Sequence, residues 1–131
     1  KAREIAENPC VSLLFPWMPM DRQVIIAGRA TRLPTAEVIN YFASRPRTSQ
    51  LAAWASRQSS QLGSRQALET QFVQMRDRFG DGDIPVPDFW GGYCVVPDEF
   101  EFWQGGENRL HDRFHYCRAE NDRWDIARLA P

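Results

Sequence analysis

Apolar and polar positions fall into two regimes along the chain, one strand-like and one helical. Cys10 to Trp17 is a nearly unbroken apolar run of β-compatible residues, closed by Pro16 and Pro19, and it predicts a buried strand. Arg22 to Leu33 predicts another. Val24, Ile25, Ile26 and Ala27 are apolar at consecutive positions, so cover is expected on both faces of that strand, and Met18 to Asp21 becomes the hairpin loop. The period then changes. Pro34 suits the first turn of a helix, and Val38, Ile39 and Phe42 follow at the three-to-four spacing of a buried stripe. Pro46 forces Arg45 out of the helical region and opens a second helix with Leu51, Trp54 and Ala55 facing inward. Ser64 caps a third, whose Leu68, Phe72, Met75 and Phe79 share a face and which ends at Gly80.

Asp81 to Asp88 holds a glycine and two prolines and reads as a surface connection leading into Trp90-Gly91-Gly92. Strand signals return at Tyr93–Val96, Phe100–Gln104, Arg113–Arg118 and Trp124–Leu129. The sum is about six strands and three or four helices. Two blocks of strands around a helical insertion predict an α+β chain, mainly β, built on an antiparallel sheet or barrel, with residues 1–131 as a single domain. At the start, Lys1 to Asn8 is made of good helix formers with no capping residue in front, which reads as a helix entered midway.

Composition narrows the partners more than the fold. Sixteen basic and seventeen acidic residues leave a net charge of −1, without the positive field that nucleic acid requires. No apolar run approaches the roughly 20 residues that span a bilayer, and the first residues lack the order of a signal peptide, so a cytoplasmic protein is expected. Cys10, Cys94 and Cys117 are odd in number and far apart, and are expected to be reduced, mostly buried thiols.

Three clusters carry candidate chemistry. If the end of Glu101–Arg113 is extended, Arg109, His111 and Arg113 project from one face, an arrangement that calls for an anion; a solvated face with cross-strand carboxylates is the simpler alternative. Tyr41 and Arg45 lie four apart at a helix end, and Ser49 sits in the first turn after Pro46. Helix-start N–H groups, an arginine and two hydroxyls would complete a phosphate site, while capping plus a surface arginine is the alternative. Gln58-Ser59-Ser60 offers amide and hydroxyl groups, though a loop needs no such purpose. On a strand His111 and His115 would stand roughly 13 Å apart, too far to share a metal ion.

Ser44-Arg45-Pro46, Ser56-Arg57-Gln58-Ser59-Ser60, Phe89-Trp90-Gly91-Gly92, Glu101-Phe102-Trp103-Gln104-Gly105, Arg109-Leu110-His111-Asp112-Arg113 and the closing Arg128-Leu129-Ala130-Pro131 occur in an order that resembles the pyridoxamine/pyridoxine 5′-phosphate oxidase family from end to end. The resemblance implies an FMN-binding split β-barrel with inserted helices, here missing its first strands, that works as a homodimer in vitamin B6 metabolism. It implies oxidation of pyridoxamine or pyridoxine 5′-phosphate to pyridoxal 5′-phosphate, with hydride passing from C4′ to the flavin and O2 accepting the electrons to give H2O2. By the same resemblance, Lys1, Gln23, Gln58, Ser59, Trp103 and Arg113 match FMN-binding positions. Tyr41, Arg45 and Ser49 match the substrate-phosphate site, and Arg109 and His111 match residues against the substrate ring. A non-catalytic flavin- or pyridoxal-phosphate-binding module, an inactive fragment and a flavin reductase with another substrate stand as alternatives.

Overall fold

A computed structural model describes residues Lys1–Pro131 in full. The elements run α1 (Ala2–Glu7), β1 (Cys10–Trp17), β2 (Arg22–Arg32), α2 (Thr35–Ser44), α3 (Arg47–Ala55), α4 (Arg65–Phe79), β3 (Tyr93–Gln104), β4 (Asp112–Arg118) and β5 (Trp124–Leu129). By contacts the chain divides into a sheet unit, Lys1–Thr31 with Tyr93–Pro131, and a helical unit, Arg32–Gly92.

In the sheet unit five strands lie in sequence order, with β1–β2, β3–β4 and β4–β5 antiparallel. The expected strands Tyr93–Val96 and Phe100–Gln104 are one continuous strand. The β3–β4 ladder begins only at Glu99, so on the β4 side the N–H that Pro97 lacks costs no ladder bond. Gly28 on β2 sits where β3 comes close, since a Cβ there would stand 2.8 Å from Pro97 Cα. The register sorts β3–β5 into two faces. Phe100, Phe102, Phe114, Tyr116, Trp124 and Ile126 lie on one, with Phe102 edge-on to Tyr116 at 5.3 Å and Phe100 edge-on to Trp124 at 5.2 Å. Glu99, Glu101, Trp103, Arg113 and His115 lie on the other.

Two burial expectations fail here. β1 is an exposed edge strand, with Leu14 57% and Trp17 43% exposed, because its apolar run is flanked by only one neighbouring strand. All three cysteines are free and exposed: Cys10 and Cys94 stand at or next to strand ends, and Cys117 pairs across the sheet with Glu99 and Asp125.

The helical unit owns the core. Phe42, Leu51 and Ile84 are buried, surrounded by the partly buried Trp54, Phe72, Met75, Phe79, Val86 and Trp90. The Asp81–Asp88 connection is thus not wholly on the surface, as Ile84 and Pro87 are both buried and Trp54 Nε1 donates to Pro85 O at 2.7 Å. At the break between α2 and α3, Arg45 is extended (φ −74°, ψ 148°), as a residue before proline must be. Arg47 closes the far end of α4 by donating to the carbonyls of Gly80 and Gly82. The two ends of this unit meet: Leu33 N donates to Gly92 O at 3.1 Å.

Ser64 starts α4 as expected, its hydroxyl accepting from Ala67 N at 3.1 Å. Ser64→Ala should cost about 1 kcal/mol of stability in urea unfolding, and Ser64→Asp should cost much less. A loss in Ser64→Ala below about 0.5 kcal/mol, the bottom of the usual range for a cap, would show that the cap contributes little.

Candidate functional site

In the helical unit the fold brings Tyr41 and Arg45 onto one platform. The Tyr41 ring stacks on Trp90 at 6.0 Å, the Arg45 guanidinium lies 5.2 Å from the centre of the same indole, and Phe42 meets that indole edge-on at 5.0 Å. Helical spacing explains the pairing, because residues 41 and 45 are one turn apart. Ser49 lies in the first turn of α3, its N–H bonded to Pro46 O at 2.8 Å. Arg45 Nη1 is buried and has no hydrogen-bond partner, and it is the one such side-chain atom in the chain. A cation over an indole face is held by the ring's quadrupole, and an unpaired buried N–H calls for an acceptor. An anion with several oxygens, placed at this helix break, would supply it. Trp90 was legible only as part of an aromatic-glycine motif; its role as platform depends on a contact across 45 positions of sequence, which local pattern does not reveal.

Gln58 and Ser59 stand exposed in the turn after α3, closed by Ser60 N donating to Arg57 O at 3.1 Å. Ser59 takes a left-handed backbone (φ 64°). Lys1 is exposed beside α1.

In the sheet unit Gln23 and Trp103 line one cavity of about 320 Å³, together with Trp17, Val24, Phe102 and Phe114 as apolar wall. Arg22, Gln104 and Asp112 give it a polar rim. A largely apolar lining with a few polar groups suits an aromatic ring system, so the residues present fit an isoalloxazine. Arg113 stands directly opposite Trp103 in the β3–β4 register. It makes a two-pronged bond to Glu101, Nε to Oε1 at 2.9 Å and Nη2 to Oε2 at 3.1 Å, and its Nη1 donates to Ala130 O at 2.9 Å. The bond to Glu101 holds the guanidinium above the ordinary arginine value, burial opposes this, and the Glu101 charge adds to it. The cross-strand carboxylate that the simpler alternative called for is therefore present for Arg113, and Asp112 and Glu99 play the same part for Arg128 and His115. Glu101 was missed as a partner, although a hairpin register would have exposed it.

One expectation about this strand is overturned. Arg109 and His111 do not share a strand face with Arg113, because β4 begins only at Asp112. Asn108 (φ 55°) and Arg109 (φ 64°) are both left-handed and make a tight turn, so side chains there do not alternate with period two. His111 instead packs its ring 4.8 Å from the Trp103 ring and accepts at Nδ1 from Gly106 N at 3.1 Å.

The chain has the fold of an FMN-binding split barrel, α+β and mainly β: a solved structure of a pyridoxamine 5′-phosphate oxidase-related, FMN binding protein from Nostoc punctiforme superposes with a TM-score of 0.65 at 15% identity, over 99% of this chain and 67% of that one. The family profile described as pyridoxamine 5′-phosphate oxidase matches residues 1–79, and the profile of the pyridoxine 5′-phosphate oxidase C-terminal dimerisation region matches residues 90–131. The chain belongs to the pyridoxamine 5′-phosphate oxidase family. Curated relatives called pyridoxine/pyridoxamine 5′-phosphate oxidase from Teredinibacter turnerae and Shewanella sediminis are 60% and 58% identical over the whole chain, which spans 62% and 61% of their lengths. The crystal structure of PhzG from Burkholderia lata in complex with tetrahydrophenazine-1-carboxylic acid matches with a TM-score of 0.89 at 32% identity, covering all of this chain and 63% of that one. No helix is long and apolar enough to cross a membrane.

Proposed function

We propose that this chain serves the FMN-dependent oxidation of pyridoxamine or pyridoxine 5′-phosphate to pyridoxal 5′-phosphate, with O2 as acceptor and H2O2 as product. The observation that carries the reading is Arg45: a guanidinium laid on Trp90, with a buried N–H lacking an acceptor, beside a helix start. A phosphorylated substrate supplies that acceptor. Family membership and curated relatives at 60% and 58% identity supply the rest of the support.

In this reading Tyr41, Arg45 and Ser49 bind the substrate phosphate. That grip is remote from the reacting carbon, so its binding energy orients the ring rather than altering it. Arg109 and His111 lie against the ring and stabilise charge that develops there. Lys1, Gln23, Gln58, Ser59, Trp103 and Arg113 are the residues that would hold FMN, which when bound supplies a two-electron acceptor that O2 can regenerate. Trp103 and its apolar neighbours would flank the flavin ring in the cavity they line, and Glu101 fixes the direction of Arg113. The protein works as a homodimer, a reading supported by the match to a dimerisation region and by the apolar side chains, such as Ile126, that the sheet unit leaves exposed.

The PhzG likeness favours a second reading, a larger carboxylated ring as substrate, but identity twofold higher to the phosphate oxidases places that second. Flavin absorbance of the protein at the length of its relatives, with peroxide release after adding pyridoxamine 5′-phosphate, tests the first. Bound flavin with peroxide release is expected. Bound flavin with no peroxide from either phosphorylated substrate would favour the non-catalytic module.

A further inference from the structure

The loop Gly105–His111 contains an arrangement that assigns His111 a definite chemical form, and the argument rests on the proposed role of His111 against the substrate ring. A ring nitrogen that accepts a hydrogen bond from a backbone N–H carries no proton. Gly106 N donates to His111 Nδ1 at 3.1 Å, so the ring proton resides on Nε2. Trp103, tilted 44° against the imidazole at 4.8 Å, packs against the ring that makes this bond. Nε2 lies at the opposite end of the imidazole from Nδ1 and is thereby presented as a hydrogen-bond donor.

The backbone is shaped to make this bond. Asn108 and Arg109 are consecutive left-handed residues, a combination L side chains seldom adopt, and they fold the loop back on itself. Leu110 N closes the turn on Glu107 O at 3.0 Å, and the Leu110 carbonyl then rests against Gly106. A Cβ on residue 106 would overlap that carbonyl oxygen, so only glycine lets the Gly106 N–H reach the imidazole.

We propose that Gly106 is a positioning residue. Its N–H locks His111 as the Nε2–H tautomer, so that His111 meets the substrate as a hydrogen-bond donor to an oxygen or other acceptor on the ring and not as a base. Glutamine can present an amide N–H near the Nε2 position, whereas asparagine reaches only as far as Nδ1. His111→Gln should thus retain roughly tenfold more kcat/KM than His111→Asn, the worth of one hydrogen bond to a charged or polarised acceptor.

The test uses flavin-loaded protein at the length of its relatives, labelled with ¹⁵N-histidine, with His111 signals identified by their loss in His111→Gln. Long-range ¹H–¹⁵N spectra are expected to show Nδ1 unprotonated and Nε2 protonated in the resting protein, and averaged tautomers in Gly106→Ala. An Nδ1–H tautomer, or averaging in the unaltered protein, would overturn the lock whether or not Gly106→Ala folds. The locked signature accompanied by equal kinetic losses in the glutamine and asparagine variants would leave the lock standing and overturn the placement of His111 against the substrate.

Discussion

Arg45→Ala is expected to weaken binding of a phosphorylated ligand roughly ten- to a hundredfold, while flavin content stays unchanged. The lost bonds join a cation to an anion and are worth about 1.5–3 kcal/mol. Arg45→Lys should recover little of that. An ammonium is a compact charge without the planar fork that directs Nη1, whose lack of an internal acceptor is what marks the site. Binding measured by calorimetry for pyridoxal 5′-phosphate, alongside flavin absorbance, separates the two effects. Loss of flavin with ligand affinity preserved would place Arg45 on the cofactor instead. Full recovery in the lysine variant would reduce the site to nonspecific charge.

Phe42→Ala is expected to be the most destabilising single change, at about 3–5 kcal/mol. Phe42 is 1% exposed, lies in the core of the helical unit with Leu51 and Ile84, and supports Trp90 edge-on. Removing its ring leaves a cavity under the platform that Tyr41 and Arg45 share, so phosphate affinity should fall together with stability. Phe42→Leu preserves most of the volume and should cost much less on both counts. Urea unfolding followed by tryptophan emission measures the first quantity and calorimetry the second. A loss below about 1 kcal/mol in the alanine variant would mean that the site collapses easily, and that the core does not hold the platform in place.

The helical unit was the more legible part, because each helix there carries its own local punctuation. Pro46 sets Arg45 extended, the Ser64 hydroxyl accepts from Ala67 N, and Leu68, Phe72, Met75 and Phe79 all turn partly inward. Composition misled where a few apolar residues sat among turn formers, since Ile84 and Pro87 look like loop yet complete the core. It misled again at β1, where an apolar run signals burial without saying what provides the cover. In the candidate site, the spacing of Tyr41 and Arg45 translated directly into geometry. The run from Arg109 to Arg113 did not, because alternation presupposes extended backbone and two left-handed residues intervene. What spacing cannot show are partners fixed by tertiary folding: Trp90 under Arg45, Glu101 on Arg113, and the Gly106 N–H on His111.

The meeting of Leu33 and Gly92 bears on how the chain finds its fold. β2 and β3 are neighbours in the sheet, yet the whole helical insertion separates them in sequence. Closing an unstructured loop of that length costs roughly 3–4 kcal/mol of chain entropy. An insertion that folds first brings its own two ends together, and so delivers β2 and β3 side by side with that entropy already spent on local helix–helix contacts. The expected order of assembly is helices early and central strand pairing late. Slow kinetic phases should therefore track the β2–β3 junction around Gly28 rather than the hairpins on either side of it.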